Sequence, residues 1–298
     1  YSDLALTHLM DGRVEGQPDR LHTNSFAEAM AAVASGAAEQ ALIPIENTVA
    51  GSLNEVYRLL KNTPLSIVAE ENLAVHHVLA GLPEAKLEGI RRIHSHPVAL
   101  QQCERFLAGL QNCRTATAAD SATAAHLVAQ SSDPSLAAIC SESCARRLGL
   151  AVLKREIADT RRNRTRFVLL DTKPAIMDLS RPGRTSLILT VDNHQGSLAR
   201  CLEAFAHRKL NLSKLESRRS PAADGEYLFY LDVDAWAQEP AMAAALEEIR
   251  HYTNEFRILG SYPQQGAVPQ VSLVSGRPRT HFPTSGKQAA RPAGPRRR

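Results

Sequence analysis

Asn163-Arg164-Thr165-Arg166-Phe167 leads from polar residues into an apolar strand, and far upstream Pro44-Ile45-Glu46-Asn47-Thr48 closes another such strand with polar residues. Two polar clusters so distant in sequence, each at a strand end, are what a cleft between two α/β lobes requires. A third cluster, Leu215-Glu216-Ser217-Arg218, falls in a separate segment further on.

Around the upstream cluster, Ser25-Phe26-Ala27-Glu28 is a capping box whose hydroxyl and carboxylate satisfy free amides of a first helical turn, and Gly36 supplies the stop. That helix feeds a strand at 41–45. Gly51-Ser52 then opens an amphipathic helix with Leu53, Val56, Tyr57 and Leu60 on one face, ended by Asn62 and Pro64, and 65–69 is again strand-like. An apolar run at 73–80 carries the chain into a second lobe. There the pattern reads strand 92–94, helix 97–107, helix 120–130, short buried strand 137–140 and helix 142–148, closed by Gly149. Alternating strands and helices of this length indicate parallel sheets covered on both faces. Residues 151–157 and 166–170 are expected to return to the first lobe, so that the chain forms a two-strand hinge. The expected lobes are thus 1–72 with 151–172, and 73–150, followed by a linker at 173–184 that holds Pro174, Pro182 and Gly183.

Downstream, strand 185–191, helix 196–208, strands 211–217 and 227–233, helix 240–252 and strand 256–262 make a βαββαβ order over 185–263, the ferredoxin-like plan. So small a sheet carries an exposed edge or face that pairs with a second copy, which predicts a homodimer or homotetramer. At the other end, Tyr1 stands in place of an initiator methionine and Tyr1-Ser2-Asp3-Leu4-Ala5 reads as the start of a helix with no strand ahead of it. A segment upstream of Tyr1 is expected.

The 298 residues, 44% hydrophobic and 22% charged, are long enough for two domains with real cores and have ordinary globular composition. No run approaches the ~18 apolar residues of a membrane span and no charged-then-apolar leader opens the chain, so a cytoplasmic protein is expected. The net charge of +4 comes from the end of the chain: with Arg277, Arg279, Lys287, Arg291, Arg296, Arg297 and Arg298 set aside, 28 basic residues face 31 acidic ones. A tail at 264–298 rich in Pro, Gly, Ser and Arg reads as disordered and solubilising, and no aromatic interleaving or folded basic face argues for nucleic acid. Cys103, Cys113, Cys140, Cys144 and Cys201 are odd in number and lack zinc-ligand pairing, which predicts reduced thiols. His76-His77 read as core or hinge residues, with no acidic partners for a metal.

Over residues 1–270 the motifs, in order, resemble prephenate dehydratase with a C-terminal ACT domain. Pro44-Ile45-Glu46-Asn47-Thr48 with Gly51-Ser52 is similar to that family's substrate-lobe motif, and Asn163 with Thr165-Arg166-Phe167 to its catalytic motif. Ser95-His96-Pro97 with Gln102-Cys103, and Ser121 before Ala124-Ala125, resemble second-lobe signatures. Gly196-Ser197-Leu198-Ala199 and Asn211-Leu212 leading to Glu216-Ser217-Arg218 resemble two phenylalanine-binding motifs. The family's glycine-containing opening strand is absent before Tyr1, and Arg219 stands where the family has proline.

The resemblance implies a two-lobed periplasmic-binding-protein-like catalytic domain and an ACT domain, with prephenate as substrate, phenylpyruvate as product, L-phenylalanine as allosteric effector and no cofactor. It makes Thr165 the essential residue. A threonine hydroxyl is far too weak an acid to act alone, so Thr165 is expected to donate to the departing ring hydroxyl; a hydroxyl that merely satisfies backbone is the competing reading. Arg166 is expected to grip the pyruvyl carboxylate through two parallel hydrogen bonds. Phe167 either forms part of an apolar wall beside the ring carboxylate or packs in the core. Asn47 and Thr48 are expected to bond substrate oxygens, with Ser2, Gly51 and Asn163 beside them. Glu46 has two competing roles, acid to the leaving hydroxyl or anchor for amides of the next helix. His96 either faces the cleft or caps its turn. For the effector, backbone at Gly196, Ser197, Leu198 and Ala199 is expected to take the carboxylate. Asn211 and Glu216 would take the amine, with Leu198, Leu212 and Leu215 enclosing the ring and Ser217 and Arg218 completing the motif. Arogenate dehydratase, the back part of a bifunctional chorismate mutase/prephenate dehydratase and a non-catalytic amino-acid sensor are the alternatives.

Overall fold

Helix α1 (Ser2–Met10) lies on one face of the first-lobe sheet, where Ala5 buries against Leu73 and Phe167, and Leu9 against Ala69 and Leu169. The sheet is built from β1 (Gln40–Asn47), β2 (Gly51–Ser52), β3 (Ser66–Ala74) and β9 (Arg164–Asp171) in the order β2-β1-β9-β3. Helix α2 (Phe26–Ala34) starts at the expected box: Ser25 Oγ accepts from Glu28 N at 3.1 Å and Glu28 Oε2 from Asn24 N at 2.7 Å. It packs with α3 (Asn54–Asn62) on the other face, where Val56, Tyr57 and Leu60 are buried as their helical spacing predicts.

Residues 1–10, 19–191, 194–219 and 227–265 are described in this computed structural model, so all but the first two residues of the expected basic tail lie outside them. Among the described residues no helix is long and apolar enough to cross a membrane.

The second lobe holds β4 (Val78–Gly81), β5 (Arg92–Ser95), α4 (Pro97–Gln101), α5 (Glu104–Ala108), β6 (Arg114–Thr117), α6 (Ser121–Gln130), β7 (Leu136–Cys140), α7 (Glu142–Arg147) and β8 (Ala151–Lys154). Its sheet runs β6-β5-β7-β4-β8 around an apolar core that includes Leu79, Ile93 and Ile139.

The first-lobe sheet, expected to be parallel, is antiparallel throughout, because β9 re-enters between β1 and β3 in the opposite direction. In the second lobe only β5 with β6 and β5 with β7 are parallel, while β4 runs against both of its neighbours. Residues 151–157 do not return to the first lobe: β8 pairs with β4, and only β9 crosses back. The single helix expected at 97–107 is two short ones broken at Gln102-Cys103, and the break turns Gln102 inward. The expected linker at 173–184 ends sooner, since the next strand starts at Gly183.

The third module has β10 (Gly183–Val191), α8 (Ser197–Ala206), β11 (Leu212–Arg219), β12 (Tyr227–Val233), α9 (Pro240–Ile249) and β13 (Glu255–Pro263), with sheet order β11-β12-β10-β13, all antiparallel. This is the expected βαββαβ arrangement. The buried residues Cys201 and Phe205 of α8 and Met242 and Ile249 of α9 cover one sheet face. The other face lies against the first lobe, where Ile188, Leu228, Tyr230 and Leu259 share a core with Ile43, Ile45, Ile67 and Val168. The approach is tight at Gly260, where a Cβ would sit 2.2 Å from the Ile67 carbonyl oxygen; only glycine permits that contact.

Candidate active site

Register between β1 and β9 places the central pair of side chains. Pro44 lies opposite Phe167 and Glu46 opposite Arg166, so Ile45 is an extra residue, a β-bulge. Side chains alternate between faces, so without the bulge Asn47 would follow Ile43 and Ile45 into the core on the α2–α3 side. With it, Asn47 stands opposite Thr165 on the α1 side. Asn47 Nδ2 donates to Thr165 Oγ1 at 2.9 Å, to Asn163 Oδ1 at 2.8 Å and to the Arg164 carbonyl at 3.1 Å. Its Oδ1 accepts from the Val49 and Ala50 amides at 3.0 and 2.9 Å, closing a turn that Gly51 leaves with φ of +81°.

From the second lobe, Gln102 reaches this pair. Its Nε2 donates to Asn47 Oδ1 at 3.2 Å, and its Oε1 accepts from Asn163 Nδ2 at 2.8 Å and lies 2.8 Å from His77 Nε2. His77 Nδ1 is 2.9 Å from the Tyr1 hydroxyl, which also reaches the His76 carbonyl at 2.8 Å. Asn47, Gln102, His77 and Asn163 are all buried, whereas Thr165 is half-buried. The clusters at 44–48 and 163–167 therefore meet at the interlobe crossing, where Val75 N also bonds the Asn163 carbonyl at 2.8 Å. Sequence reasoning placed Gln102 in a motif and His77 in the hinge but gave neither a place in the site. Gln102 carried no local signal of its own, since the helix was expected to run unbroken over 97–107, and the only signal at His77 was a histidine beside an apolar run.

Burial holds the His77 pKa below its ordinary 6.5, outweighing the hydrogen bond with Gln102 that raises it. The unfolded chain then takes up this proton more readily than the folded protein, so the contribution to stability is complete above pH ~6.5 and drains away as pH falls below it. His77→Gln is expected to flatten the acid side of a plot of melting temperature against pH below ~6.5. An unchanged slope would remove His77 from that role.

Other expected site residues are placed differently. Arg166 follows Thr165 on the strand and so points to the opposite face, where it is buried against the βαββαβ module. Its Nε bonds Glu70 Oε2 at 2.8 Å, Nη1 bonds Asp232 Oδ2, and Nη2 bonds the Tyr262 hydroxyl at 2.8 Å. All three nitrogens are engaged, which corrects the expected carboxylate grip. Phe167 packs under α1 with Ala5 and Leu73, the core alternative. Glu46 serves neither proposed role: it shares the Arg166 face and pairs with Lys214 of β11 at 3.0 Å. Thr48 is committed to backbone, donating to the Arg162 carbonyl at 2.7 Å and accepting from Arg164 N at 2.9 Å. His96 caps its turn, Nδ1 accepting from Val98 N at 3.2 Å. Ser2 is exposed at the first position of α1.

In the βαββαβ module, Gly196 adopts φ of +82° immediately before α8, so Ser197, Leu198 and Ala199 form the first turn of that helix. Leu198 and Leu212 edge the helix-side core and Leu215 stands exposed beyond it, with Leu215 and Ser217 opposite core residues Leu231 and Phe229. Glu216 and Arg218 alternate to the other face. Glu216 Oε2 accepts from Ser52 Oγ at 2.5 Å and pairs with Lys214 at 3.2 Å, while Oε1 accepts from Arg218. Glu216 is thus separated by the strand from the leucines with which it was expected to hold an amino acid. Asn211 is also engaged, donating to Asp234 Oδ2 at 2.6 Å.

A family model described as prephenate dehydratase matches residues 1–175. The chain is 36% identical over 244 residues to the bifunctional chorismate mutase/prephenate dehydratase of Escherichia coli (strain K12), covering 82% of this chain and 63% of that relative. It thus spans less than two thirds of the length of that curated relative. Among solved structures, a prephenate dehydratase from Arthrobacter aurescens in complex with L-Phe superposes with a TM-score of 0.79 at 29% identity, over 88% of this chain and 86% of that one. GqqA, described as a novel type of quorum quenching acylase, also gives 0.79, at 32% identity over 89% and 95% of the two chains.

Proposed function

The chain belongs to the prephenate dehydratase family, and on that premise we propose that it converts prephenate into phenylpyruvate, carbon dioxide and water. The bond from the ring to its carboxylate breaks, its electron pair enters the ring, and the ring hydroxyl leaves. One proton is consumed, because hydroxide must depart as water. Aromatisation supplies the driving force, so the protein's task is to hold the dianion and donate to the leaving oxygen. One observation carries this reading: Thr165, half-buried at the crossing between lobes, has its oxygen held by Asn47 as an acceptor. Residues 1–172 form the catalytic part of this reading and 185–263 the regulatory part.

L-phenylalanine is the effector in this proposal, taken at the exposed start of α8 and the neighbouring outer face of β11, a reading supported by the L-Phe complex of the Arthrobacter aurescens relative. Edge strand β11, with Leu215 exposed, suits pairing with a second copy of the chain. Feedback then requires that phenylalanine bind one arrangement of the assembly better than the other. The test is direct: incubate the purified chain at neutral pH with prephenate and, separately, with arogenate. Phenylpyruvate should form from prephenate well above the uncatalysed rate and fall when L-phenylalanine is added. Phenylalanine formed from arogenate, with prephenate left unchanged, would reverse the substrate assignment.

A further inference from the structure

Two edge strands meet where the βαββαβ module touches the hairpin that carries Asn47. β2 closes one side of the first-lobe sheet and β11 one side of the module's sheet, so each pairs with a neighbouring strand along one flank only. Side chains join them. Glu46 and Ser52 are the cross-strand pair at the base of the β1–β2 hairpin, with Asn47 opposite Gly51 one step nearer the turn. Lys214 Nζ donates to Glu46 Oε2 and to Ser52 Oγ, each at 3.0 Å, and lies 3.2 Å from Glu216 Oε2 and 5.4 Å from the centre of the Tyr57 ring. Ser52 Oγ in turn donates to Glu216 Oε2 at 2.5 Å, and Arg218 pairs with the other oxygen of Glu216. The Lys214 side chain is only 11% exposed, so its ammonium has little water to replace these oxygens.

We propose that Lys214 is a positioning residue that couples the βαββαβ module to the active site: by holding Glu46 and Ser52 together, it passes a change at β11 to the turn that sets Asn47 against Thr165. β11 is suited to such a change, because its pairing with β12 slips by one residue at Ser213, directly before Lys214. Leu215 and Ser217 alternate to the face of β11 assigned above to the effector, while Lys214, Glu216 and Arg218 take the face toward the hairpin. A ligand seated on one face thus bears on a strand whose other face grips both ends of the Asn47 turn. Asn47 keeps the Val49 and Ala50 amides throughout; what moves is the whole turn, and with it the Nδ2 donor relative to Thr165 Oγ1. A hydrogen bond weakens steeply with angle, so a small displacement suffices. An effector that binds one setting of β11 better than another then selects one setting of the turn.

The inference rests on the dehydratase reading with L-phenylalanine as effector, and it is tested apart from turnover as well as through it. Saturating L-phenylalanine is expected to lower phenylpyruvate formation by the intact chain ~5–100-fold. In Lys214→Met, measured against that variant's own uninhibited rate, the drop should be less than ~2-fold, while calorimetry finds the affinity for L-phenylalanine within ~5-fold of wild type. Inhibition as deep as in wild type, or affinity lost together with inhibition, would overturn the proposal. Glu46→Gln, on the hairpin side of the contact, should part binding from inhibition in the same way and decides the matter if Lys214→Met does not fold. The readout free of turnover is the Ala50 amide in nitrogen-15 NMR. L-phenylalanine should shift its resonance in the wild-type chain and leave it in place in Lys214→Met; an equal shift in both chains would overturn the coupling whatever the activity. A wild-type chain that makes no phenylpyruvate yet shows the Lys214-dependent shift counts against the substrate and supports the coupling. One that takes up no L-phenylalanine removes the effector and the coupling together.

Discussion

On the dehydratase reading proposed above, Thr165→Val is expected to lower kcat for phenylpyruvate formation by ~10²–10³-fold, with KM within ~3-fold and little change in melting temperature. Valine has nearly the shape of threonine, so packing beside Asn47 and Leu73 is kept. Asn47 Nδ2 loses one acceptor but retains Asn163 Oδ1 and the Arg164 carbonyl, leaving no buried donor unpaired. What disappears is the hydrogen offered to the leaving hydroxyl. The ground state barely uses it, because the departing oxygen gathers charge only as its bond to the ring lengthens, and a loss confined to that stage reduces kcat and spares KM. Thr165→Ser keeps the hydroxyl and should retain most of the activity. Turnover by the valine variant within a few fold of wild type would remove Thr165 from the mechanism, and a parallel collapse of its melting temperature would reassign it to the fold.

The βαββαβ module was legible in sequence because each of its elements carries its own period and the connections are short. So was the meeting of Asn47 with Asn163, which needs only that two polar clusters end strands of one lobe. The face that each side chain takes was not. Ile45 is an ordinary strand residue, and nothing local announces that β1 bulges there; the bulge exists only in register with β9, which lies far along the chain. Strand direction failed for the same reason. Alternation of strands and helices predicts parallel pairing only when each strand neighbours the next, whereas β9 inserts between two earlier strands in the reverse direction.

Arg166 illustrates a different limit. An arginine beside a threonine proposed as catalytic invites a substrate role, because charged side chains are seldom buried unless paired. Its partners Glu70, Asp232 and Tyr262 come from three other strands, two of them in the βαββαβ module, and no spacing in the sequence links them. The rule that neighbours on a strand face opposite ways was available, and it alone separates Arg166 from Thr165. Glu216 and Leu215 are divided by the same rule on β11.

Replacing Arg166 by alanine should therefore act on stability, with a cost of ~3–5 kcal/mol, and leave KM for prephenate in the remaining folded protein nearly unchanged. The arginine sits between two sheets in a network that is satisfied at every link. Tyr262, its hydroxyl held far above the ordinary pKa by burial, stays protonated; it accepts from Arg166 Nη2 and lies 2.6 Å from Ser186 Oγ, which donates to Asp232. Arg184 adds two bonds to Glu70 at 2.8 and 2.9 Å and two to Asp234 at 3.4 and 3.2 Å. Two arginines thus face three carboxylates, and removing Arg166 leaves Asp232 with no ion-pair partner among the described residues and Glu70 with Arg184 alone. The penalty is that of a buried charge without its partner, which exceeds what the intact pair contributes relative to an apolar pair of the same volume. Neutralising the partners should accordingly recover part of the loss: Arg166→Met combined with Asp232→Asn is expected to unfold at higher urea than Arg166→Ala alone. Urea titration followed by Trp236 fluorescence measures both, since that ring is buried in the βαββαβ module. A raised KM with unchanged stability in Arg166→Ala would return the guanidinium to the substrate and contradict its placement between the sheets.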